Sequence, residues 1–205
     1  PVFFALDLVE AEGWRDRAKR GEVPMHEVEP PGIDDARLHH WAGAIYVPRT
    51  TVDAVVKRLQ DFAGRESEFY DEVKSSKLLE RDGDRLRISM RLYRDAGPVV
   101  ATYSTEHAVE YPRLGTRATQ RSVSTKIAEL ADAGSAHEPE KRPGDDSGFL
   151  WRLNAYWRYE QSGDGVLIEC ESVSLSRSVP WVIRPVPNPM VDRIAGESLE
   201  RTLTS

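Results

Sequence analysis

The chain has 205 residues, 40% of them hydrophobic and 30% charged, with a formal net charge of −6. These values describe one generous globular domain, or one domain with an arm. They argue against a broad basic face for nucleic acid, and no apolar run approaches the ~20 residues that cross a bilayer.

Residues 1–37 read as an N-terminal arm. Phe3, Phe4, Leu6, Leu8 and Val9 start an apolar segment, Trp14 to Arg20 is basic and helical in composition, and Gly21, Pro24, Pro30, Pro31 and Gly32 interrupt any regular element. One short helix followed by an extended stretch packed on the domain is expected. The first residue is Pro1 rather than Met, so loss of a preceding segment is expected. Both a cytoplasmic and an exported location stay open.

The domain runs over residues 38–205. Leu38 to Pro48 reads as a first strand, stopped by the proline. Thr50 or Thr51 can cap a helix whose apolar positions, Val52, Val55, Val56, Leu59 and Phe62, share one side. Gly64 ends it, and Glu66 to Tyr70 suits a second short helix with Phe69 and Tyr70 inward. Val73 to Arg81, the turn Asp82-Gly83 and Arg85 to Tyr93 form a hairpin. On the returning strand Leu86, Ile88, Met90 and Leu92 share a face. Gly97-Pro98 turns into Val99 to Tyr111, whose richer face holds Tyr103, Thr105, His107, Val109 and Tyr111. Gly115 leads into Thr116 to Leu130, which is ambiguous by period, and 131–148 reads as a polar loop.

The stretch FLWRLNAYWRYE, Phe149 to Glu160, alternates most clearly. One face carries Phe149, Trp151, Leu153, Ala155, Trp157 and Tyr159; the other carries Leu150, Arg152, Asn154, Tyr156, Arg158 and Glu160. Val166 to Arg177 returns as a strand. Pro180 to Pro189 holds four prolines and reads as irregular, and Met190 to Leu203 reads as a last helix. A strand, two helices, a run of antiparallel strands and a long terminal helix make an α+β fold, with these helices on one face of the sheet. A long curved sheet closed by one helix leaves a gap, and mostly apolar groups are available to line it.

This order resembles the helix-grip fold of the START-like, or SRPBCC, superfamily. The carrying residues are AIYVPRTTVDAVVKRLQDFAGRESEFYDEVKSSKLLERDGD at the start and PNPMVDRIAGESLERTL at the terminal helix, so the resemblance spans about residues 38–204. The segments FLWRLNAYWRYE and VLIECESVSLSR look like those of a bacterial subset. The resemblance implies a curved antiparallel sheet of about seven strands wrapped on the C-terminal helix. It also implies a deep apolar cavity of the kind used for lipids, sterols or polyketides. It carries no universal catalytic motif.

Function is therefore read as binding or transport of a small hydrophobic ligand, with Met90, Leu92, Tyr103, His107, Trp151, Leu153, Trp157 and Tyr159 from the sheet and Val191, Ile194, Ala195 and Ser198 from the helix as candidate contacts. If the polar face of 149–160 turned inward instead, Arg152, Asn154 and Tyr156 would meet a polar-headed ligand, with Arg121 and Glu171 as buried partners. The alternatives are a cyclase- or hydrolase-like enzyme, with His107 and Tyr103 as acid–base groups joined by Tyr156 or Glu171, and an interaction domain docking through its arm or Pro180–Pro189. No cofactor or metal is expected: Cys170 is the single cysteine and reads as a buried thiol, His39, His40 and His107 do not make a ligand set, and Asp145 and Asp146 read as turn formers. Oligomeric state is open.

Overall fold

Between residues 73 and 177, alternating stretches separated by turns become the strands of one antiparallel sheet. The computed structural model describes residues 4–8, 13–30, 32–95, 100–114, 116–135, 137–177 and 188–204. The elements are α1 (Ala5–Leu8), α2 (Trp14–Lys19), β1 (Met25–Glu27), β2 (Ala36–Val47), α3 (Val52–Asp61), a 3-10 turn (Glu66–Glu68), β3 (Val73–Asp82), β4 (Arg85–Asp95), β5 (Val100–Glu110), β6 (Arg113–Leu114), β7 (Arg117–Glu129), β8 (Arg152–Ser162), β9 (Gly165–Arg177) and α4 (Asn188–Thr204). The Gly97-Pro98 turn, Gly115 and residues 180–187 of the proline segment lie outside the described residues.

The sheet runs β1-β2-β9-β8-β7-β5-β4-β3, with β6 beside β7. Seven of these are the strands expected from alternation. The eighth on the path, β1, comes from the arm, where Met25 pairs with Gly43 and Glu27 with Trp41. A three-residue run between prolines is too short to alternate visibly. The arm also holds a second helix, α1, where one was expected. Farther on, the hairpin turn sits one residue later than expected, at Gly83-Asp84, and the second helix is the 3-10 turn alone.

Helices cover both faces of the sheet. On one face, the buried α3 residues Val52 and Val56 meet Leu86, Ile88, Val109 and Tyr159. Full burial of a side chain such as Val56 contributes roughly 1.5–3 kcal/mol. Thr51 Oγ1 caps α3 by accepting from Ala54 N at 3.2 Å. Gly64 leaves the helix with φ +86 directly against Leu78, where a Cβ would strike backbone. On the same face α4 lies along β2, with further contact to β1 and β9. On the opposite face α1 and α2 set Leu6, Trp14 and Ala18 on Ala42, Ala44 and Leu167. β2 serves both layers by alternation: Trp41 and Ile45 face α4, and Ala42 and Ala44 face the arm.

Candidate functional site

A recess of about 570 Å³ lies between the inner face of the sheet, α3 with the 3-10 turn, and α4. Its walls follow from strand parity. β4 presents Ile88, Met90 and Leu92, β8 presents Leu153, Ala155, Trp157 and Tyr159, and β9 presents Ile168, Cys170, Ser172 and Ser174. Ala155, Ser172 and Ser174 on the strands face Ala195 and Ser198 on α4. Short side chains opposite one another are the reason space is left there. α4 is held close to β2 at one edge. A Cβ on Gly196 would lie 3.1 Å from the Trp41 ring, and one on Gly43 would lie 2.7 Å from Leu203 Cδ1.

A few polar groups interrupt this apolar wall. Glu72 accepts from Ser198 Oγ at 3.0 Å and from Arg201 at 2.8 Å, and Arg94 lies 3.5 Å away, so one carboxylate ties α4 to the start of β3. Tyr159 donates to Gln120 Oε1 at 2.6 Å. His107 is 3% exposed, and burial lowers its imidazole to about 4, which keeps the ring neutral at pH 7. Burial also pushes the Tyr70 hydroxyl up to about 12 and the Cys170 thiol up, so that thiol stays protonated and inert. Among the described residues no group of three or more His, Cys, Asp or Glu side chains is placed to hold a metal ion. No helix there is long and apolar enough to cross a membrane.

No protein-family model and no curated protein matches the chain. Solved structures do. A STAR-related lipid transfer protein fragment from Xanthomonas axonopodis is 17% identical, with 88% of this chain and 97% of that one covered at a TM-score of 0.56. A START superfamily protein from Mycobacterium smegmatis is 15% identical over 80% of this chain and 92% of that one, at 0.51. The Zhui aromatase/cyclase from a Streptomyces species is 10% identical over 82% and 90%, at 0.52. The fold is START-like.

In this START-like sheet, Met90, Leu92, His107, Leu153, Trp157, Tyr159, Ala195 and Ser198 come together around the recess. Tyr103 and Trp151 do not. Tyr103 is packed with Val73, Leu92, Ala101 and Leu150, and burial raises its hydroxyl well above the ordinary range. Trp151 precedes β8, donating its Nε1 to Asp146 at 3.2 Å with the Arg177 guanidinium 5.6 Å over its ring. The side chains of Val191 and Ile194 lie outside the described residues.

The polar stripe of β8 is on the outer face. Arg121 and Arg152 are exposed, Asn154 accepts from Ser124 N at 3.2 Å, and Tyr156 is half-buried beside Glu171 in the ladder. This face is not simply solvated, as a plain outward stripe would be. The Arg158–Glu169 ion pair is buried beneath the arm, with Phe4 4.8 Å from the Arg158 guanidinium. Glu171 accepts from Ala5 N and sits 3.1 Å from His40 Nε2.

Sequence reasoning left Glu66, Glu72, Arg94 and Gln120 off the site. The Glu72–Ser198 contact joins positions 126 residues apart, and no local spacing signals such a pair. Gln120 falls in the strand whose period was ambiguous. Its cause is a bulge. Glu106 pairs with Lys126 but His107 pairs with Ser124, so Thr125 is an extra residue and the inward parity of β7 switches there.

Proposed function

We propose that the chain binds or carries a small hydrophobic ligand, lipid-, sterol- or polyketide-like, in the recess under α4. The observation that supports this most is the facing of short side chains on β8, β9 and α4 across an apolar wall. Well-packed interiors interdigitate large and small groups, whereas here the space left is in the ~300–1,000 Å³ class of small-molecule sites. An apolar ligand would gain roughly 25 cal/mol for each Å² it buries there. Similarly folded proteins include a STAR-related lipid transfer protein and an aromatase/cyclase, in keeping with this reading.

The acid–base alternative has less support. Of its two lead groups only His107 is on the wall among the described residues, and at pH 7 its ring is neutral and far from its own pKa. Native mass spectrometry and solvent extraction of the purified protein test the binding reading. A co-purifying or titratable apolar molecule is expected. Its absence, with an unchanged melting temperature across a lipid and polyphenol panel, would sink the proposal.

A further inference from the structure

Two polar atoms on recess-lining residues are buried without a hydrogen-bond partner, His107 Nδ1 and Glu66 Oε2. The Glu66 atom is an acceptor by nature; its companion Oε1 already accepts from Gly64 N at 3.0 Å. The character of the histidine atom follows from its neighbours. Thr105 Oγ1 donates to the Met90 carbonyl at 3.2 Å, and His107 Nε2 lies 3.2 Å from the same hydroxyl oxygen. A hydroxyl has one proton. With that proton on the Met90 carbonyl, Oγ1 accepts from Nε2–H, and Nδ1 is left with a bare lone pair. Because burial keeps the ring neutral at pH 7, Nδ1 is not satisfied by protonation either.

Both unpartnered atoms therefore have the same sign. On a largely apolar wall, the two lining atoms that are buried without a partner are both acceptors, and buried polar groups left unpaired discriminate strongly against a ligand that cannot pair them. We infer that the recess selects an apolar ligand bearing hydroxyl groups, one of which donates to His107 Nδ1, over hydrocarbons, esters and methyl ethers of the same shape. This rests on the hydrophobic-ligand reading above and narrows it.

The tautomer is measurable on the ligand-free protein by long-range ¹H–¹⁵N correlation at pH 7. A proton on Nε2 and none on Nδ1 is expected; a protonated Nδ1 overturns the inference. Fluorescence titration with 1-hydroxypyrene and 1-methoxypyrene supplies the second arm. The hydroxyl probe should bind about tenfold more tightly or better. The ratio should collapse toward one in His107→Leu and be partly kept in His107→Asn, whose amide oxygen can accept. Equal affinities in the wild type overturn the hydroxyl preference while the hydrophobic-ligand reading stands. Failure of both probes to bind overturns the reading beneath it. If His107→Leu does not fold, the tautomer and the wild-type ratio still decide.

Discussion

The two faces of the sheet around β8 treat buried polar groups differently. On the outer face, Arg158 meets Glu169, and Glu171 meets His40 and the arm backbone, so these polar side chains are covered by polar partners. On the inner face, the lining is apolar with short side chains opposite short ones, and its buried polar atoms on His107 and Glu66 are left without partners. Unpaired buried groups are tolerated where something else completes them, and under the ligand-binding reading proposed above the ligand would do so.

The outer face should respond most strongly to losing one partner. Arg158→Ala takes the guanidinium from a buried carboxylate and should cost roughly 3–5 kcal/mol in denaturant unfolding, with much of it recovered when Arg158→Met is combined with Glu169→Leu. A single-variant loss under about 1 kcal/mol would erase the contrast. The inner face should respond to pH. His107 is held at about 4 against 6.5 in the unfolded chain, so between those values unfolding takes up a proton. The stability it contributes is complete above pH 6.5 and is lost as pH falls toward 4, by about 3 kcal/mol in all. His107→Leu should flatten that part of the stability–pH profile; superimposable profiles would mean that the ring titrates as in water. Ala155→Trp should fill the recess and weaken 1-methoxypyrene at least tenfold, about 1.4 kcal/mol, by fluorescence titration. Unchanged affinity would move the ligand elsewhere. Thr51→Ala, in a cap belonging to neither contrast, should lower stability by about 1 kcal/mol in thermal unfolding and set the scale for the rest.

Legibility followed sequence distance. The inward set Leu153, Ala155, Trp157 and Tyr159 could be read because parity is a property of neighbouring residues. The same holds for Met90 and Leu92, and for the run of hairpins that defines the sheet. What could not be read was placed by distant contacts. Glu171 is covered by a backbone amide 166 residues away, so an alternating charged stripe looked like solvated surface. Trp151 shares the parity of Trp157 but stands before the strand begins. Tyr103 shares the parity of His107 but is packed against Leu150 and Ala101 beyond the recess. Alternation tells which side of a sheet a residue faces, and it is silent about how far along that side a helix extends.

Gly196 and Gly43 have one more consequence, although neither lines the recess. They let α4 lie close on β2, with Gly196 against the Trp41 ring and Gly43 against Leu203. The height of the helix over the recess then depends on the thickness of that seam. A single methyl group at position 196 would act as a shim. It would enlarge the cavity without altering any residue that touches its contents.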